Sequence, residues 1–331
     1  MLIPFLLFLF GLLLLVKGGD WFVGGATGIA YRLHLPELLI GATVVSVGTT
    51  LPEVTVSVTS ALGGTGDIAY GNALGSVICN TALVAAIPAV LRPTSIDRKQ
   101  LLLPVSFFFI AATVYFTAAY GFGEFSRETG ILLLTLFVLY TVISLRNTKA
   151  PKDPPTSTQS KSTPEVSADP AVRKQSLGSS FLLLVVGAAA IAVGADLLVE
   201  NGRLLAEQLG LPESVMAMLF VSLGTSLPEL VTAVSALLKG HSALSLGNII
   251  GANVLNLTLV TGAAATAMPF ALPDGRSVAG IPSTLLIDLP LMLLVMLLLT
   301  LPTLIKGRLT RALGITLLCS YVAFCVLSVR F

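Results

Sequence analysis

The chain has 331 residues, 55% of them hydrophobic and 11% charged, with a formal net charge of +2. Soluble domains carry about a quarter charged residues, so this composition excludes one. The near balance of charge leaves no electrostatic footprint for nucleic acid or for an acidic substrate.

Apolar runs long enough to cross a bilayer recur along nearly the whole length, which predicts an all-α polytopic membrane protein. In chain order they place ten spans at 2–30, 36–62, 69–91, 101–121, 129–146, 179–206, 212–239, 245–271, 281–302 and 311–329. The first run, Leu2–Val16, has the length of a signal-peptide core but lacks a basic leader and a small-x-small cleavage site, so it reads as a mature span. Cys79, Cys319 and Cys325 lie in apolar runs without C-x-x-C spacing and read as small hydrophobes rather than disulfide or metal ligands.

Between the fifth and sixth spans, residues 147–177 are rich in Pro, Ser, Thr and Lys, a composition that cannot bury a core and reads as a flexible linker. It divides a first five-span unit, 1–146, from a second, 178–331. Fourteen Lys and Arg fall on the linker's side of the membrane and four on the other. The positive-inside rule therefore puts the linker in the cytoplasm and both termini outside.

Sliding the chain on itself by 176 residues aligns Gly18–Val84 with Gly194–Val260 without a gap, at 24 identities in 67 positions. LPE at 35–37 meets LPE at 211–213, GTTLPE at 48–53 meets GTSLPE at 224–229, and GNALGSVICN at 71–80 meets GNIIGANVLN at 247–256. Five is an odd number of spans, so the second half must enter the membrane from the opposite side. The expectation is a pair of inverted repeats, a design common among secondary transporters, with the substrate site where the repeats meet.

Most of the identity falls in spans 2, 3, 7 and 8. On a helix Thr49, Thr50 and Glu53 project to one side, being spaced by three and four. Pro52 has no N–H and crowds the carbonyl four residues back, which predicts a kink with unpaired carbonyls around 46–49. Within a bilayer such groups are tolerated only where they line a cavity or are buried in protein. A carboxylate, two hydroxyls and carbonyls together are hard oxygen ligands of the kind Ca²⁺ or Na⁺ accepts. Thr225, Ser226, Pro228 and Glu229 repeat the set, and Asn72, Ser76 and Asn80 form a polar stripe matched by Asn248, Ala252 and Asn256.

Other polar residues admit plainer readings. Asp20 and Asp196 suit interhelical hydrogen bonding, Asp288 an interfacial structural role, and His34 and His241 solvated loops. Glu37 and Glu213 follow prolines at predicted helix starts, where an acid complements the helix dipole.

Two copies of G-[TS]-[TS]-L-P-E, each followed by G-N-x-x-G-[SA]-x-x-x-N, resemble the α-repeats of the cation/Ca²⁺ antiporter superfamily, which contains the sodium/calcium exchangers. The resemblance is to a small prokaryotic-type member, and covers spans 1–3 and 6–8. It implies a multi-pass protein of the inner membrane with ten helices in two inverted sets of five. It also implies ion sites among spans 2, 3, 7 and 8, and long helices 1 and 6 that slide across the core to give alternating access. By the same resemblance, Glu53 and Glu229 would coordinate Ca²⁺ with Thr50 and Ser226 alongside. Thr49, Thr225, Ser76 and the carbonyls of Ser46 and Ser222 would complete the ligands, with Asn80 and Asn256 at the last polar position. Two departures stand out: Ala252 replaces the hydroxyl of Ser76, and the last polar position is Asn in both halves, where many sodium/calcium exchangers carry an acid.

The expected function is a secondary antiporter exchanging Ca²⁺ for Na⁺, with no organic cofactor; an H⁺- or K⁺-coupled divalent exchanger is the alternative. A cation channel would more often be built from parallel subunits than from one inverted duplication. An intramembrane hydrolase fits least, since no His accompanies the acids at depth and neither G-x-S-x-G nor H-E-x-x-H occurs.

Overall fold

The computed structural model describes residues 2–33, 35–146, 176–208, 224, 226–273, 277–278 and 280–330. Among them the chain runs through α1 (Leu2–Arg32), α2 (Glu37–Leu62), α3 (Gly66–Leu91), α4 (Arg98–Phe122) and α5 (Arg127–Arg146). It continues through α6 (Leu177–Gln208), α7 (Leu227–Leu238), α8 (Ser242–Ala267), α9 (Thr284–Lys306) and α10 (Arg311–Arg330). Eight of these described helices are long and apolar enough to cross a membrane, α7 and α10 being counted as shorter apolar helices. The predicted start of the seventh span, 212–223, lies outside the described residues, as does His34.

In lipid there is little hydrophobic drive between helices, so close backbone approach over small residues has to hold them together. The long helices α1 and α6 meet this way. A Cβ on Gly11 would fall 2.8 Å from the Gly194 carbonyl, one on Gly18 3.0 Å from that of Gly187, and one on Gly25 2.5 Å from that of Ser180. As the α1 number rises the α6 number falls, so the two helices are antiparallel. Shifting by 176 turns the Gly11–Gly194 contact into the Gly187–Gly18 contact, so the pair repeats itself about its own midpoint.

The same recurrence extends beyond the aligned segment. Arg127 Nε donates to the Thr266 carbonyl and Arg311 Nε to the Val90 carbonyl, both at 3.1 Å. A Cβ on Gly130 would meet the Gly262 carbonyl and one on Gly314 the Ala86 carbonyl, each at 2.9 Å. Strand β1 (Glu124–Phe125) pairs antiparallel with β2 (Phe270–Ala271), while Ser95 bridges Arg308. Gly123 and Gly307 both end their helices with positive φ, 70° and 65°. Each pair of contacts interconverts when the third and eighth helices are related by 176 residues and the fifth and tenth by 184.

The intervening connection carries a hairpin of β3 (Ser277–Val278) and β4 (Ile281–Pro282). The β1–β2 pairing places the α4–α5 and α8–α9 connections on one face, and the Ser95–Arg308 bridge places α3–α4 and α9–α10 on the opposite one.

Candidate cation site between α2, α3, α7 and α8

Helix α2 does not break where Pro52 predicts. An α-helix runs from Ser46 to Leu62 with Pro52 inside it, and the irregularity lies one turn earlier, in a π-helical turn over Gly41–Val45. The carbonyl of Ala42 in that turn accepts a 2.6 Å hydrogen bond from the buried Tyr140 hydroxyl of α5. A group exposed by the wider turn thus finds a protein donor, as burial in a membrane protein requires. Gly41 lets α8 approach the turn, because any side chain there would run into the Leu244 carbonyl, 2.3 Å from a Cβ.

Helices α3 and α8 carry π-helical turns at matched places, Asn80–Val84 and Asn256–Val260. At each asparagine the backbone ladder slips from i+4 to i+5, a local widening often found at functional sites. In α7, Glu229 sits in the first turn, just after Ser226, which occupies the N-cap position without making a side-chain cap.

These elements bury the described candidate ligands, and Glu53, Glu229, Thr49 and Thr50 are neighbours. Glu53 and Glu229 are each 0% exposed. They lie within electrostatic reach of one another, and the hydroxyls of Thr49 and Thr50 neighbour the Glu229 carboxylate. All four carboxylate oxygens lack a hydrogen-bond partner, as do the Thr50, Ser76 and Ser226 hydroxyls and both side-chain polar atoms of Asn80 and of Asn256. Buried polar groups are normally paired, and unpaired ones are costly. Buried oxygens left without a partner, among them those of two neighbouring carboxylates, are groups that a cation would satisfy. The described residues contain no cluster of three or more His, Cys, Asp and Glu. The donor set is therefore hydroxyl, amide and carboxylate oxygen, suited to hard cations and not to zinc or copper.

Ser46 is buried at the start of the regular part of α2; its hydroxyl donates to the Thr43 carbonyl at 3.2 Å. Its own carbonyl accepts from Thr49 at 3.3 Å, so it is not left bare as the kink predicted. Thr225 and Ser222 lie outside the described residues. Thr49 also contacts Asn248 Oδ1 at 3.2 Å, which brings α8 into the first half's motif. A cavity of about 870 Å³ between α2 and α6 reaches this motif, with Thr49, Pro52 and Thr55 on one wall and Ala188, Ala195 and Asp196 on the other.

Among the peripheral residues, one histidine departs from expectation. His241 is no solvated loop residue: its Nδ1 lies 2.7 Å from Glu37 Oε1, both half-buried, tying the start of α8 to the start of α2. Asp20 does bind between elements, 3.2 Å from Lys239 Nζ at the end of α7. Asp288 is buried at the close of a π-helical turn opening α9.

The model of the sodium/calcium exchanger protein family matches residues 3–146 and 179–330. The chain belongs to the sodium/calcium exchanger family. It is 29% identical to the sodium/calcium exchanger MaX1 of Methanosarcina acetivorans, across 98% of both chains. It is 34% identical to the inner membrane protein YrbG of Escherichia coli, across 81% of both. Its fold superposes on the sodium-calcium exchanger NCX_Mj, solved after soaking in Na⁺ and Sr²⁺, with a TM-score of 0.79 at 29% identity over 97% of each chain. Membership makes the protein an integral multi-pass membrane protein of the cation/Ca²⁺ antiporter superfamily, prokaryotic in type, whose relatives are transporters.

Proposed function

We propose that the protein is a secondary antiporter that exchanges Ca²⁺ for Na⁺ at one central site between α2, α3, α7 and α8. The observation that carries this is the pair of fully buried carboxylates, Glu53 and Glu229, whose oxygens have no protein partner. A lone charge at that depth costs several kcal/mol, and a cation shared between the two removes the cost. Two negative charges match one Ca²⁺ or two monovalent ions, so occupancy by one kind excludes the other and couples their movements. Thr50, Ser76 and Ser226 add hydroxyl oxygens, Asn80 and Asn256 add amide oxygens, and Thr49 lines the approach.

Ten helices in two inverted sets of five, alternately exposing this site, complete the reading. The recurring contacts of α1 with α6, of α5 with α8 and of α10 with α3 support it.

The test is Na⁺-gradient-driven uptake of ⁴⁵Ca²⁺ into proteoliposomes. Wild type should exchange, whereas Glu53→Gln and Glu229→Gln should each lose the flux. Near-normal exchange in either variant would sink the site, and Ca²⁺ uptake driven by a pH or K⁺ gradient without Na⁺ would reassign the coupling ion.

A further inference from the structure

The two carboxylates are held differently. Asn72 of α3 reaches across to α2 and donates from Nδ2 to the main-chain carbonyl of Glu53 at 3.1 Å and to the Ser57 hydroxyl at 2.9 Å. Ser57, fully buried, donates in turn to the Ala69 carbonyl of α3 at 3.3 Å, closing a bridge back to the helix that carries Asn72. This fixes the backbone of Glu53 from outside its own helix. It does so without touching the carboxylate, whose two oxygens stay available.

The second half has no such bridge among the described residues. Asn248 is the repeat counterpart of Asn72, but Ala233 stands where Ser57 would be repeated. Asn248 Nδ2 has no partner, and its Oδ1 turns to Thr49 of the first half instead. Both asparagines of the GN pairs therefore brace the α2 motif, Asn72 at Glu53 and Asn248 at Thr49.

We propose that Asn72 is a positioning residue for ion binding: its carboxamide clamps the Glu53 main chain and so sets the cation affinity of that carboxylate. Glu53 is then the pre-positioned anchor of the site. Pre-positioning matters because a ligand held in place loses no freedom when the ion arrives. The clamp contributes one neutral hydrogen bond to a backbone that the ion must otherwise order. Its removal should therefore change affinity by about tenfold rather than abolish binding.

This rests on the proposed cation site at Glu53, and the experiment separates the two. Half-saturating Ca²⁺ and maximal ⁴⁵Ca²⁺ exchange are measured in proteoliposomes for wild type, Glu53→Gln, Asn72→Ala, Asn72→Leu and Ser57→Ala. The thermal midpoint of each in detergent without Ca²⁺ is measured alongside. Asn72→Leu keeps the volume of the side chain and guards against collapse of the smaller variant. The proposal expects both Asn72 variants to need about tenfold more Ca²⁺ with maximal exchange within about twofold of wild type. Ser57→Ala, which keeps the bond to Glu53, should stay within about threefold. Wild-type half-saturation in Asn72→Leu, or a lowered thermal midpoint as its only change, would overturn the clamp. Loss of exchange in Glu53→Gln beside that result leaves the site intact and removes the clamp alone. Full exchange in Glu53→Gln removes the site itself.

Discussion

Ala252 and Ser76 occupy equivalent places in α8 and α3, each one helical turn before an asparagine that opens a π-helical turn. Ser76 offers a buried hydroxyl without a partner, and Ala252 offers none. Ala252→Ser should supply the missing oxygen on a face already lined by polar atoms. We expect it to lower half-saturating Na⁺ for Ca²⁺ release by roughly threefold, the scale of one added neutral ligand, read in the same flux assay. An unchanged Na⁺ dependence would mean that this position does not face the ions.

At this scale the sequence disclosed the carboxylates, hydroxyls and asparagines, because their types and spacing are unusual in an apolar helix. It did not disclose Tyr140, which serves the Ala42 carbonyl from a helix 98 residues away. Nor did it disclose the bridge from Asn72 through Ser57. Both depend on contacts between helices whose packing no local pattern encodes.

Among elements, α8 lies very close to α2. A Cβ on Gly247 would lie 2.1 Å from the Leu38 carbonyl, and one on Gly251 2.6 Å from that of Ala42. Backbone cannot yield as a side-chain end does, so Gly247→Ala should separate the helices that carry Glu53 and Asn256. The expected outcome is loss of a monodisperse peak in detergent chromatography. Gly24→Ala, where a Cβ meets nothing within 4 Å, should leave peak and exchange unchanged. If both variants behave alike, the close approach does not hold the bundle.

The π-helical turns show how far element-level reading went. Pro52 predicted a kink around 46–49, but an α-helix runs through that stretch and the irregularity of α2 lies earlier, at Gly41–Val45, where a tyrosine hydroxyl meets the Ala42 carbonyl. The kinship of α5 and α10 was also legible in principle, since Gly123–Leu134 and Gly307–Leu318 share glycine, arginine and leucine positions. It escaped the 176-residue register because the second half has a longer connection, containing the β3–β4 hairpin, which moves the offset to 184.

For the whole molecule, the remaining question is which side faces the cytoplasm. The contacts group the connections without reference to charge: α4–α5 with α8–α9 by the β1–β2 pairing, α3–α4 with α9–α10 by the Ser95–Arg308 bridge, and α1–α2 with α7–α8 by Glu37 and His241. The α3–α4 and α9–α10 group is the one rich in Lys and Arg, with six against two in each of the others, and the alternation of spans puts α1–α2 and α7–α8 on its side. Leaving out Arg146 and the five basic residues of the α5–α6 connection, the count is still eight against four. Basic residues near span ends resist translocation, so that side should be cytoplasmic.

Single cysteines in a background lacking Cys79, Cys319 and Cys325 would test this with a membrane-impermeant maleimide. Glu124→Cys, exposed in the α4–α5 connection, should label in intact cells. Ser160→Cys in the linker should label only after permeabilisation. Because the bias does not depend on the linker, changing Lys149, Lys152 and Lys161 to glutamine should leave both patterns in place. Reversed labelling of the two cysteines would mean that the charge asymmetry does not set the orientation, and the inner and outer faces of the exchange cycle would then have to be exchanged.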